Sequence, residues 1–243
     1  FGGLEHKNST ILQASRFDLP NPNKPDELTD NYQAFLSLCS HEYFHAWNIC
    51  RIKPKAFIPY QLSKESYTEQ LWAYEGITSY YDDFSLYRSG IITFENYLAI
   101  LSKAATRVYR GQGELKQSVT QSSFYTWTKF YQQTPDSINF IVSYYNKGGL
   151  AALCLDIALL QQSNGKANID TVMRLLWEHY GIEQIGTPDD VIEQVCKQHL
   201  NLDVENIVHQ LAHSTIELPL STLLPTIGLE VRLRASIDHH DKG

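Results

Sequence analysis

The sequence predicts an α+β chain that is mainly helical, with a small β portion at its N-terminal end. Apolar residues recur at three- and four-residue spacing through most of the chain beyond residue 29, the period of one helix face. Thr29 and Thr93 stand just ahead of two of these runs, where a hydroxyl can cap a helix. Residues 1–19 instead combine a glycine pair with spaced apolar residues (Leu4, Ile11, Leu12, Phe17, Leu19), a pattern of extended structure with one or two strands. The 243 residues are enough to bury a sizeable core.

Taken in order, PNPNKPDE at 20–27 is a loop, because three prolines within it can continue neither helix nor strand. The first helix follows Thr29 along Tyr32, Phe35, Leu36, Cys39, Tyr43 and Phe44, and must end before Pro54. A second is expected from about Thr68 to Arg88, stopping near Gly90, and a third from Thr93 to about Tyr109. Residues 110–122, rich in glycine and polar residues, read as a surface loop. Further helices are expected near 123–133, 148–162, 168–180, 188–199 and 203–213, and the alternation of Gly228–Arg234 reads as a strand. The expected division is a catalytic domain over 1–217, then a linker and the start of another module over 218–243.

Charge and cysteine usage narrow the function class. Twenty Lys and Arg against 27 Asp and Glu give a net charge of −7, with no basic run to hold nucleic acid or an anionic membrane. The longest apolar run, Leu150–Leu160, already contains Asp156 and spans no bilayer. Cys39, Cys50, Cys154 and Cys196 lie far apart in segments that read as helices, which favours free buried thiols over a disulfide framework or a cysteine metal site. A reducing, cytoplasmic compartment is therefore expected, with a periplasmic one as the alternative. The chain starts at Phe1 rather than Met, so a natural N-terminus and any targeting signal are expected to precede it.

The chemistry concentrates in His41-Glu42-Tyr43-Phe44-His45. Histidines four apart on a helix lie about 40° apart around its axis, so both imidazoles reach one ion. Glu42, one position on, can act as general base toward a water without being a ligand itself. With nine histidines in the chain, roughly 0.02 chance matches are expected, so background does not explain the motif. A catalytic zinc takes three protein ligands, and the third must come from downstream. Glu75 sits inside the apolar, aromatic stretch Trp72–Tyr81, where a carboxylate needs a partner, whereas its rivals Glu65 and Glu69 lie in a solvated stretch.

HEYFH followed by Trp72-Ala73-Tyr74-Glu75-Gly76 resembles the gluzincin zinc peptidases. Together with Gly2-Gly3-Leu4-Glu5-His6 and the HEYFHAWNICRIKP stretch, it resembles the glycyl aminopeptidase family specifically, over roughly residues 1–215. The resemblance implies a thermolysin-like (zincin) catalytic domain, often followed by a PDZ domain, that acts on a peptide substrate with one zinc held by His41, His45 and Glu75. It implies that Glu5 grips the free α-amine of the substrate, although His6 stands where related aminopeptidases carry Asn. It also implies that Tyr145, in Tyr144-Tyr145-Asn146-Lys147-Gly148, steadies the oxyanion, with Tyr144 the rival. The expected activity is removal of small N-terminal residues such as Gly or Ala. An endopeptidase with the same site and a non-hydrolytic peptide-binding scaffold remain open.

The other candidates read more plainly. Asp82 and Asp83 lie about two turns beyond Glu75, where Asp82 can face the site, although an adjacent acid pair is more often solvated. Arg51 and Lys53 read as cations at a helix end rather than binders of a substrate carboxylate. His209 and His213 repeat the spacing but lack a central Glu, His179 and His199 stand alone, and His239, His240 and Asp241 sit in a polar tail.

Overall fold

Gly3–His6 (β1) and Ser9–Leu12 (β2) pair antiparallel, with Glu5 opposite Thr10, in a computed structural model that describes residues 2–25, 27–235 and 237. Strand alternation puts Gly3 and Glu5 on one face of β1, and Glu5 is the one residue of that strand partly covered. Leu4 and Ile11 form a cross-strand pair and stand 57% and 67% exposed.

The hairpin lies against the first helix, α1 (Asp30–Phe44), whose first turn is capped by the Thr29 hydroxyl accepting from the Tyr32 N–H. Beyond His45 the chain turns back sharply, with Ile49 at φ 105° and Asn48 bridging Ile52. Cys50 falls in this turn and not in a helix, a correction to the expectation, though it is a buried free thiol like Cys154 and Cys196. The second helix begins later than expected, because the Thr68 hydroxyl accepts from the Gln70 N–H and holds a turn there. It opens instead as a π-helical turn, Trp72–Gly76, that runs directly into α2 (Ile77–Arg88). Thr93 caps α3 (Phe94–Tyr109) as expected.

Residues 110–122 depart from the expected surface loop. Gly113, Glu114 and most of 117–123 are buried, and α4 (Val119–Phe124) starts inside the segment behind a capping box of Ser118 and Gln121. The glycines there permit close packing: a Cβ on Gly111 would meet the Ile138 carbonyl oxygen at 2.1 Å, and one on Gly113 the Ile141 oxygen at 2.1 Å.

The centre of the molecule is α5 (Asn146–Gln162), buried along nearly its whole length, with α2, α3 and the Trp72–Gly76 turn packed around it. α6 (Ile169–Leu176), α7 (Val191–Val195), α8 (Glu205–Val208) and α9 (Leu220–Leu223) complete the helical side, the first three each extended by a π-helical turn. No strand forms at 228–234. Alternation alone makes no strand without a partner, and among the described residues the one sheet is the N-terminal hairpin. His239, His240 and Asp241 lie outside the described residues. No helix among those described is long and apolar enough to cross a membrane.

Two glycines set the approach of α5 to the turn before α2. A Cβ on Gly76 would lie 2.6 Å from the Gly148 backbone, and one on Gly148 would lie 2.9 Å from the Gly76 Cα. Gly76→Ala therefore forces these backbones apart and should lower stability by about 1–3 kcal/mol, the usual cost of overpacking. Urea denaturation checks this, with Gly2→Ala as the control, since a Cβ there meets nothing within 4 Å.

Candidate active site

His41 and His45 project from the last turn of α1 with ring centroids 4.6 Å apart and planes at 89°. Glu75 comes from the π-helical turn before α2, the helix packed most closely on α1. Its Oε2 lies 3.2 Å from His41 Nε2 and 3.2 Å from His45 Nε2. The three donor atoms lie within 4.8 Å of one another, and this is the one such group of His, Cys, Asp or Glu among the described residues.

The outer nitrogens are also engaged. His41 Nδ1–H donates to Asp82 Oδ2 at 3.1 Å, and His45 Nδ1–H donates to the Asn48 carbonyl at 2.8 Å. These bonds fix each ring so that Nε2 points inward. Asn48 is itself anchored, because its side-chain amide donates to Tyr74 O at 3.0 Å and Thr78 Oγ1 at 3.1 Å. One buried amide thus ties the turn after α1 to the turn that carries Glu75. Asp82 and Asp83 are not a solvated pair: Asp82 orients His41, and Asp83 accepts from the Ser37 hydroxyl on α1.

The charges follow from this packing. Burial alone would raise the Glu75 carboxyl, yet hydrogen bonds from His41 and His45 hold it down to about 2. Burial pulls the His41 imidazole down, but Asp82 and Glu75 together push it up to about 10. Burial is the largest influence on His45 and lowers it, but the bond to Glu75, the Glu75 charge and the bond to the Asn48 backbone together raise it. A buried carboxylate oxygen shared by two imidazole nitrogens requires positive charge at the shared point. Protons can supply that charge, and so can a divalent cation; two imidazoles and one carboxylate are a donor set that suits zinc. The residues fit the metal.

Glu42, 7% exposed, stands beside this set without belonging to it. Its carboxylate packs on the backbone of β1: a Cβ on Gly3 would lie 2.2 Å from Glu42 Oε1. The Thr10 hydroxyl of β2 reaches Glu42 Oε2 at 3.5 Å. Burial raises the Glu42 carboxyl, the charged histidines oppose the rise, and the Glu5 carboxylate adds to it. Glu5 and Gly3 share the face of β1 turned toward Glu42. Tyr145 lies at the N-terminus of α5, its ring centroid 6.2 Å from that of His41. Burial and then the Glu75 charge push its phenol far up, so it stays protonated. Its rival Tyr144 is 1% exposed with its hydroxyl 2.8 Å from Thr126 Oγ1, and is a core residue.

The remaining candidates sort cleanly. Glu65 and Glu69 are exposed. Arg51 donates to Ala46 O at 2.6 Å, at the end of α1 as expected. Lys53 is not at a helix end: it is buried, with Nζ 3.4 Å from the Tyr60 hydroxyl and 4.6 Å from the centre of that ring. His209 and His213 stack 6.0 Å apart, and His179 stacks on His199 at 4.1 Å. Gly3 and Asn48 were not anticipated. The sequence signal for Asn48 is only its place three residues beyond His45.

Two imidazoles and a carboxylate converging between antiparallel helices, with a further carboxylate held just outside the set, define a candidate hydrolytic metal centre. Residues 34–151, which contain all of it but Glu5 and the rest of the hairpin, match the M61 glycyl aminopeptidase family model. A crystal structure of an aminopeptidase N family protein from Idiomarina loihiensis is similar to 99% of the chain, at 50% sequence identity and a TM-score of 0.95. The chain spans 41% of that protein. No curated protein matches it.

Because Asp82 both orients and polarises His41, Asp82→Asn keeps the shape and removes the charge. Zinc affinity should fall about 10–100-fold, the usual effect of losing such a partner, as read by chelator competition.

Proposed function

We propose that this chain is the catalytic region of a zinc-dependent aminopeptidase that releases small N-terminal residues, Gly or Ala, on a thermolysin-like arrangement of helices and hairpin. The observation that carries it is the convergence of His41 Nε2, His45 Nε2 and Glu75 Oε2, with Glu42 beside them and outside the set. The family of residues 34–151 and the Idiomarina loihiensis neighbour support the peptidase class. The preference for Gly or Ala rests on the family alone. A linker and PDZ-like domain from residue 218 onward belong to the same proposal.

His41, His45 and Glu75 would hold the zinc, which when bound supplies Lewis-acid charge at the scissile carbonyl and makes water nucleophilic near neutral pH. Glu42 accepts the proton of the attacking water and delivers it to the departing amine; its raised carboxyl suits both halves of that task. Tyr145 keeps its phenolic proton and donates a hydrogen bond where the oxyanion develops. Glu5 pairs with the α-ammonium of the substrate. The edge of β1 away from β2 offers backbone groups to align an extended peptide.

Glu42→Gln preserves shape but cannot take a proton. It should lower Ala-anilide turnover by at least about a hundred-fold while metal analysis still finds zinc bound. Full activity in that variant would defeat the proposed base. N-acetylation of the same substrate should abolish hydrolysis, and efficient cleavage of the blocked form would mean an endopeptidase in which Glu5 is no amine clamp.

A further inference from the structure

The buried segment around Gly113–Ser122 is a wall against which the chain leading to Tyr145 is built. The Gln117 side-chain oxygen accepts from the Val142 N–H at 3.1 Å, and the Ser122 hydroxyl donates to the Val142 carbonyl at 2.5 Å. Gly113 presses on the Ile141 carbonyl, where a Cβ would lie 2.1 Å from the oxygen. Gly113, Gln117 and Ser122 are all buried. The chain is thus gripped just before Tyr144 and Tyr145.

A further contact takes hold just after them. Lys147, the second residue of α5, reaches back to the same wall, with Nζ 3.7 Å from Glu114 Oε2 and donating to the Glu114 carbonyl at 3.4 Å. The two residues are 1% and 6% exposed. No donor among the described residues comes within hydrogen-bonding distance of Glu114 Oε2. Burial lowers the Lys147 amine and raises the Glu114 carboxyl, while the charge of each opposes the shift of the other. Glu217 also favours the charge on the amine. As a device for stability the pair is poor. A cation in the first turn of a helix faces the positive end of its dipole, and two buried charges gain little over apolar side chains of similar volume. What the pair does supply is a tether from the wall to the first turn of α5. Tyr145 is the N-cap residue of that helix, the joint between the gripped chain and the tethered turn.

We propose that Glu114 is a positioning residue for the reaction: through Lys147 it holds the first turn of α5, and with it the Tyr145 phenol, where that phenol meets the developing oxyanion. The proposal rests on the aminopeptidase reading above. Val142 anchors the chain three residues before Tyr145, and Lys147 anchors it two residues after. Loss of the second anchor leaves the joint fixed to the wall from one side only.

The test is a double-mutant cycle on the full-length protein with Ala-anilide. Glu114→Gln should lower kcat about ten-fold at unchanged KM and zinc content, since a small misplacement of a reacting group is costly. In a Tyr145→Phe background, where the phenol is already gone, the same substitution should change kcat by less than about two-fold. Because Glu114→Gln leaves a buried amine without its partner, Glu114→Gln/Lys147→Met is the companion variant. It removes both charges, should melt no lower than the wild type, and should still lose about ten-fold in kcat. A second readout needs no turnover. Fluorotyrosine placed at position 145 should give one sharp fluorine NMR resonance in the otherwise unaltered protein, and a broadened or split one in the companion variant. Equal loss of kcat in both backgrounds, wild-type kcat in the companion variant, or an unchanged resonance overturns the proposal. A broadened resonance with no peptide hydrolysed by the wild type upholds the hold on Tyr145 and overturns the aminopeptidase reading instead.

Discussion

A single carboxylate oxygen, Glu75 Oε2, accepts from two imidazoles in a site that water barely reaches, and much of the local structure answers to that demand. A buried anion is tolerable only when positive charge stands against it, and removing one partner of such a pair typically costs about 3–5 kcal/mol. The partners must come from a different element, because no cation precedes Glu75 on its own turn. α1 supplies them at its C-terminal end. There the last carbonyls also favour positively charged imidazoles. Asn48 then closes the arrangement by tying the return turn of α1 to the backbone of the Glu75 turn. The geometry of the three candidate donors is thus held by hydrogen bonds within the protein.

Glycine does for the surroundings what hydrogen bonds do for the ligands. Gly76 and Gly148 let two helical segments touch backbone to backbone, which brings the Glu75 turn and the Tyr145 end of α5 to one place. Gly3 lets the Glu42 carboxylate press on β1, where any side chain would evict it. Both contacts put an acid or a phenol beside the candidate metal donors without adding it to the set. That separation suits the proposed hydrolysis, in which the groups that would hold the ion stay fixed while Glu42 and Tyr145 exchange or donate a proton.

The donor set was legible because its chemistry is local. His41 and His45 share a helix face by spacing alone, and Glu75 stands out as an acid in an aromatic stretch. Thr29 and Thr93 mark helix starts through contacts three residues on. What escaped was non-local. Asp82 looked as solvated as any acid pair until α2 packed on α1, and Gly3 carries no sign of the carboxylate that rests on it. The glycines at 111 and 113 signal a loop in sequence but serve as points of close approach in space. The alternation at 228–234 has the period of a strand and no neighbour to bond. In each case the missing information was the identity of the facing element.

Charge divides the two acids nearest the histidines. Glu75 faces two imidazoles, and their hydrogen bonds hold its carboxyl down to about 2 in spite of burial. Glu42 has no imidazole bonded to it; burial raises its carboxyl, and the Glu5 carboxylate of the hairpin adds to the rise. Two carboxyl groups beside the same pair of histidines thus differ in proton affinity because of what faces each of them. That difference is the one a cation ligand and a proton acceptor require, since the first must stay ionised and the second must take up a proton and give it back.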